Sequence, residues 1–224
     1  MTTATALLAA TDLLDHESDE VRRFVAAAVP DPSVSDRDKA VALFYAVRDG
    51  VFYEVYGADM SRDGLRASAV SVAKTGFCLH KSILYAAATR AVGIPSRVLA
   101  GEVRNHLASD KLKELVGGEV FLHWLNEIHL DGRWLKTTPV FNKMLCKLYG
   151  ISPLEFDGTA DAVYHPFDDK GRRHMEFVGA VASFDDVEHA AVIALMRERH
   201  PGMFASADAV HGGGSLVAEA PAAD

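Results

Sequence analysis

The chain has 224 residues, 49% of them hydrophobic and 24% charged, which is enough for one domain with a single core. The formal net charge of −8 excludes a surface built to bind nucleic acid. No apolar run approaches the roughly 20 residues of a membrane-spanning helix. The Thr/Ala-rich start also lacks the basic and apolar regions of a signal peptide. We therefore expect a cytoplasmic protein that binds neither membranes nor nucleic acid.

Two helices are predicted near the N-terminus. Ser18 caps the first, which carries an apolar stripe from Val21 to Ala28 and ends before Pro30. Ser35 caps the second, which Gly50 ends. We predict a loosely ordered segment over residues 1–17, one domain over residues 18–204 and a disordered tail over residues 205–224.

In the rest of the domain, each apolar stripe predicts a helix and each run of alternating apolar and polar residues predicts a strand. Asp131-Gly132 is a strong hairpin signal between two such runs. Helices are predicted over residues 65–73, 81–91, 111–116, 141–149 and 184–199, and extended segments over 51–56, 97–103, 119–130 and 133–138. Residues 157–173 read as irregular. Helices ahead of an antiparallel sheet predict an α+β fold.

Cys78 is the first candidate for chemistry. It follows Gly76-Phe77 and begins a helix-forming stretch, so the positive end of the helix dipole is expected to favour its thiolate. His123 lies about forty residues later in a strand-like run, and a cysteine with a distant histidine is a pattern for a nucleophile and its base. Cys146 lies on an apolar helix and is expected to be inert. We expect both thiols to be free.

Several motifs around these residues carry a family resemblance. They are Thr75-Gly76-Phe77-Cys78, then Gly93-Ile94-Pro95-Ser96-Arg97, then His-x-x-x-Glu-x-x-Leu from His123, then Gly-x-Trp from Gly132. Their order over residues 41–139 resembles the transglutaminase-like superfamily of papain-like cysteine enzymes. Residues 153–158 and 165–168 resemble a bacterial branch of it. The resemblance implies a papain-like core, with N-terminal helices packed on an antiparallel sheet, and a Cys–His pair.

Several residues are candidates for orienting His123. A two-residue turn at Asp131-Gly132 places Glu127 opposite Lys136 and Thr138 diagonal to His123. The resemblance implies an aspartate at this diagonal position, where the chain has threonine. Asn142 is the preferred substitute, because its carbonyl oxygen can accept the imidazole N–H without a charge. Thr138 itself is the next choice, and Asp157 and Asp168 are alternatives.

Four further residues are candidates for substrate binding. His80 and Lys81 follow the nucleophile within one helical turn, and the alternative is that they face solvent. His165 and Asp168 lie in the irregular segment and His174 directly follows it, and loops of this composition often form pocket rims. No metal-ligand spacing is present, so we expect neither a metal nor a cofactor. Trp124 and Trp134 are expected in the core, on the hairpin face opposite His123.

These residues favour a cysteine-dependent hydrolase or acyltransferase. The expected partner is a small-molecule or peptide acyl substrate, such as an amide, that forms a thioester with Cys78. One alternative is a non-catalytic binding module that has kept the fold. Another is an enzyme whose thioester chemistry ends in carbon–carbon bond formation.

Overall fold

The structure, a computed structural model, describes residues 6–220. Its helices are α1 Asp19–Ala28, α2 Asp36–Gly50, α3 Ala67–Ala73, α4 Cys78–Ala91, α5 Asp110–Val116, α6 Lys143–Tyr149 and α7 His189–Arg199. Its strands are β1 Phe52–Tyr53, β2 Thr75–Gly76, β3 Ser96–Asn105, β4 Val120–Leu130, β5 Arg133–Thr137 and β6 Met175–Phe184. Across this described part, every helix is too short or too polar to span a membrane.

The predicted helix starts are confirmed. Ser18 accepts the Val21 N–H at 3.4 Å, and Ser35 accepts the Asp38 N–H at 3.1 Å. Both bonds satisfy N–H groups that the first turn of a helix leaves without a partner. The two helices pack beside α4, whose residues are buried on all sides from Cys78 to Arg90. A helix that is buried on every face lies at the centre of its domain, so α4 is the central element of this core.

A four-stranded antiparallel sheet, in the order β5-β4-β3-β6, covers α4. The helix-facing residues of β4 include the fully buried Trp124 and Asn126, whose side-chain amide donates to the Ser82 carbonyl at 2.9 Å. With helices on one side of an antiparallel sheet, the predicted α+β fold is confirmed.

The hairpin between β4 and β5 has the predicted register, with Glu127 opposite Lys136. Its turn residues, Asp131 and Gly132, have φ values of 49° and 75°, as a two-residue hairpin turn requires. The same register places Trp134 opposite His129, and residues directly opposite share a face of the sheet. The prediction that Trp134 lies in the core is therefore wrong, and its ring is 37% exposed.

Strand β6 was not expected. It pairs with β3 at the edge of the sheet through a bulged register, and most of its side chains are exposed or half-buried. With little burial there is no clean alternation of apolar and polar residues to reveal it. Because these residues are a strand, the last helix begins at His189 rather than at residue 184.

The structure corrects the prediction of loose ends. Leu13 and Leu14 are fully buried, and the Leu13 carbonyl accepts the Ala67 N–H at 2.9 Å. At the other end, Val210 and Leu216 are buried, and the Val210 N–H donates to the Ala58 carbonyl at 3.1 Å. A few apolar anchors thus hold segments whose composition suggested disorder. Residues 1–5 and 221–224 lie outside the described part of the chain.

Candidate active site

Cys78 is the first residue of α4, and a short parallel strand pair delivers the chain to it. Strand β2 pairs with β1, so that Tyr53 lies beside Gly76. Gly76 has a φ of +152°, and a Cβ there would lie 2.6 Å from the His80 Cβ. Both facts require glycine, which explains this position of the Gly-Phe-Cys motif.

The Cys78 thiol is 4% exposed, and this burial raises its pKa to about 11. Hydrogen bonds to the sulfur from the backbone N–H groups of Trp124 and Leu79, and from the Tyr53 hydroxyl, act in the opposite direction. Desolvation outweighs them because a thiolate loses its hydration when it is enclosed. The expectation that the helix N-terminus leaves a lowered pKa is therefore wrong for this enclosed site.

His123 lies on β4, next to the residue whose N–H reaches the Cys78 sulfur. It lines the same cavity as Cys78, and it is 5% exposed. Burial lowers its pKa to about 4, so its imidazole is neutral at pH 7. Its Nε2 is buried and has no hydrogen-bond partner among residues 6–220. A neutral imidazole that shares a cavity with a protonated thiol is in the correct state to accept a proton.

The shared cavity has a volume of about 870 Å³ with its mouth included. Apolar side chains from β3, β4, α5, α6, α7 and the C-terminal segment form most of its wall. Sequence reasoning missed Tyr53 in this cavity, because nothing local to residues 51–56 indicates a long-range pairing with the cysteine strand.

A second, smaller cavity also borders His123. Thr138, His165 and His174 line it, and His123 and His174 also border the first cavity. The Thr138 Oγ1 and the His174 Nδ1 are buried without hydrogen-bond partners in the described part of the chain. His123 thus borders both the cavity that Cys78 lines and the cavity that Thr138 lines.

The family model of the transglutaminase-like superfamily matches residues 23–139, slightly more than half of the chain. The chain belongs to the transglutaminase-like superfamily. The resemblance read from its motifs is thereby confirmed.

One solved structure carries the printed name "Putative Cysteine Protease from Cytophaga hutchinsonii". It is similar to the chain with a TM-score of 0.49 and 17% identity. The match covers 84% of this chain and 49% of that one, so the chain spans about half the length of that protein. No match was found among curated proteins.

Asn142, which we expected to orient His123, forms a hydrogen bond with a different residue. It precedes α6 and is 5% exposed, and its Oδ1 accepts the Tyr53 backbone N–H at 3.1 Å. Within residues 6–220 the structure records no hydrogen bond between Asn142 and His123. Orientation of His123 by Asn142 or Thr138 stays a prediction. Of the two, Thr138 shares a cavity with His123.

His80 and Lys81 do not line either cavity. The His80 Nε2 lies 2.9 Å from the Asp59 carbonyl oxygen. Lys81 is fully buried, and its ammonium donates to the carbonyls of Arg48 and Val51 at 2.8 and 2.5 Å, at the end of α2. Burial lowers its pKa to about 7. Both residues support the backbone, which corrects the prediction that they bind the substrate.

Asp168 also has a structural role. Its carboxylate accepts the Arg172 backbone N–H at 2.7 Å and the Arg172 Nε at 2.6 Å, and its side chain is fully buried. Burial acts to raise its pKa, but the bonds from Arg172 prevail and lower it. Asp168 lines neither cavity, so its predicted substrate contact is corrected. His165 lines the second cavity, and its role stays a prediction.

Proposed function

We propose that the protein is a cysteine-dependent hydrolase or acyltransferase that acts on an amide or related acyl substrate through a Cys78 thioester. The observation that carries this proposal is the shared cavity of Cys78 and His123, with Cys78 at the N-terminus of α4. Membership of the transglutaminase-like superfamily supports it.

The first half of the reaction starts from a neutral pair. His123 takes the proton from the Cys78 thiol while the sulfur attacks the carbonyl carbon, and a C–S bond forms. The imidazolium then protonates the leaving group as its bond to carbon breaks, which leaves a thioester. The Cys78 backbone N–H, at the start of α4, is a natural donor to the oxyanion, and such donors contribute on the order of 3 kcal/mol.

The second half regenerates the thiol. Water or an amine attacks the thioester while His123 again serves as the base, and the departing sulfur recovers a proton. The Tyr53 hydroxyl, which bonds the sulfur, stabilises the negative charge that develops there. Thr138 or Asn142 orients the imidazole through a neutral group, and His165 contacts the substrate from the second cavity.

The test is a search for the acyl-enzyme. We expect p-nitrophenyl acetate to add one acetyl group to Cys78, detected by mass spectrometry after an acid quench, and hydroxylamine to release it. The Cys146→Ala variant should behave as the wild type, whereas Cys78→Ala should show no such adduct. His123→Ala should form the adduct at least a hundredfold more slowly.

A second candidate is a non-catalytic binding module, which the burial of Cys78 favours. It predicts that the wild type and Cys78→Ala release p-nitrophenol at the same rate, with no adduct on residue 78. That outcome would overturn the proposed enzyme.

A further inference from the structure

The wall of the Cys78 cavity is almost entirely apolar. Helix α5 contributes Leu112 and Val116, α7 contributes Met196, and the segment after it contributes Met203. The C-terminal segment adds Leu216, which is 4% exposed. Contact with such a wall stabilises a hydrocarbon group and penalises a charged one.

The cavity also has no charged lining residue in the described part of the chain. Its three histidines are neutral. Burial lowers the pKa of both His123 and His174 to about 4. His200 is held neutral by its bonds, because its Nε2 accepts the Leu122 N–H at 2.8 Å while its Nδ1 donates to the Val116 carbonyl at 2.8 Å. Among the described residues, no side chain in this wall carries a charge that could form an ion pair with a carboxylate or an ammonium group.

The position of the thiol indicates which part of a substrate enters this cavity. Cys78 lines the apolar cavity and not the second one. The second cavity is more polar, with Thr138, Ser152 and His165 in its wall. Since the acyl group stays attached to sulfur after the first half-reaction, it needs the space beside the thiol. The leaving group is free to depart.

The flexibility of the wall fits a chain-like ligand. Met175, Met196 and Met203 all line the cavity. Unbranched thioethers adjust to irregular shapes, so a wall with several methionines tolerates ligands of different lengths.

We propose that the acyl group carried by Cys78 is an uncharged aliphatic chain, longer than acetyl. This inference rests on the proposed function and specifies its substrate class: esters, thioesters or amides of medium-chain fatty acids. The bond from the carbonyl carbon to oxygen, sulfur or nitrogen breaks, and the carbon–sulfur bond forms. The thiol proton leaves with the displaced group through His123, and no redox step is involved.

A binding experiment tests the cavity without any chemistry. The Cys78→Ala variant is titrated calorimetrically with acetamide, butanamide, hexanamide and octanamide. Each added methylene should tighten binding by about fourfold, the factor for burying one such group. Octanoate should bind at least tenfold more weakly than octanamide. Affinity that does not change with chain length, or that favours the carboxylate, would overturn the proposal.

A variant that fills the cavity locates the binding site. Ala108 lines the cavity and is half-buried, so Ala108→Trp should weaken octanamide binding at least tenfold in the Cys78→Ala background. Ala73 is exposed on α3 and provides the matched control Ala73→Trp, which should bind octanamide normally. If the two folded variants bind octanamide with equal affinity, its alkyl chain lies outside this cavity and the proposal is refuted. If Ala108→Trp does not fold, the chain-length series alone decides.

Two substrate series, acyl p-nitrophenyl esters and alkyl thioesters of acetate, separate this inference from the proposed function. Cys78-dependent acylation of the wild type should rise from acetyl to octanoyl p-nitrophenyl esters, and should not rise when the acetyl group is fixed and an alkyl thiol leaving group is lengthened. If Cys78 is acylated at the same rate whatever the acyl length, the proposed enzymatic function stands and the proposal of an aliphatic acyl group is wrong. If amide binding depends on chain length but no acylation occurs, the cavity does prefer aliphatic chains. The proposed enzymatic function and the proposed acyl group on Cys78 would then both be wrong.

Discussion

The Asn142 side-chain oxygen accepts the backbone N–H of Tyr53 at 3.1 Å. The hydroxyl of the same tyrosine bonds the Cys78 sulfur. Asn142 therefore reaches the nucleophile through Tyr53, whatever its relation to His123. This link connects the start of α6 to strand β1 and makes Asn142 a positioning residue for the thiol environment.

We predict that Asn142→Ala slows both turnover and iodoacetamide labelling of Cys78 by about fivefold, the effect of losing one hydrogen bond of about 1 kcal/mol. Asn142→Asp keeps an oxygen for the Tyr53 N–H and should restore most of the rate. The control is Asp157→Ala, since the exposed Asp157 accepts hydrogen bonds from Thr159 within its own loop. If Asp157→Ala slows labelling as much as Asn142→Ala, the positioning role is wrong.

A second prediction concerns the pH profile of Cys78. Its labelling rate should still be rising above pH 10, because burial raises the pKa to about 11 compared with about 8.5 for a free cysteine. Tyr53→Phe removes a donor to the sulfur and should move the profile to higher pH, with labelling several-fold slower at pH 8. Mass spectrometry reads Cys78 and Cys146 separately, and burial raises the Cys146 pKa to about 12. A Cys78 midpoint near 8.5 would contradict the enclosed site.

A third prediction concerns acid stability. The folded-state pKa values of His123 and His174 are about 4, below the unfolded value of about 6.5, so the unfolded chain binds more protons between these limits. Their contribution to stability is complete above pH 6.5 and is lost as the pH falls towards 4. Each can lower the free energy of unfolding by up to about 3 kcal/mol across this window.

Urea denaturation at pH 7.0 and 5.0 measures this loss. The His174→Asn variant should show a smaller difference between the two pH values than the wild type. An unchanged difference in His174→Asn would show that His174 does not titrate with a depressed pKa.

A fourth prediction tests the approach to the nucleophile. Gly76→Ala should destabilise the fold by about 1–3 kcal/mol, because the substitution adds backbone strain at a φ of +152° and a clash with the His80 Cβ. Gly50→Ala is the matched control, since a Cβ at Gly50 meets nothing within 4 Å and its φ is not positive. Thermal unfolding of both variants checks the difference. Equal stability would remove the structural reason for glycine before Phe77-Cys78.

Local signals in the sequence predicted the parts of the fold that local forces determine. The caps at Ser18 and Ser35, the turn at Asp131-Gly132 and the register of Glu127 with Lys136 depend on neighbouring residues. The parts that were missed depend on distant ones. Strand β6 exists because β3 offers it a free edge, and its mostly exposed side chains carry no alternation.

In the candidate site, the residues marked by motifs were also predicted, and those that depend on distant contacts were missed. The motifs identified Cys78 and His123 as a pair, and the structure places both at one cavity. Proximity in sequence suggested that Lys81 serves the site, but its ammonium is held by the carbonyls at the end of α2. The contribution of Tyr53 could not be predicted, because it depends on the parallel pairing of β1 with β2.

The neutral state of both Cys78 and His123 has a consequence for how the reaction responds to ionic strength. With the thiol protonated and the imidazole neutral, the two groups form no ion pair that dissolved salt could screen. Sites that depend on opposite charges weaken as the Debye length falls from about 10 Å at 0.1 M salt to about 3 Å at 1 M. The formation of the acyl-enzyme from an uncharged donor should therefore proceed at nearly the same rate in dilute buffer and in concentrated sodium chloride.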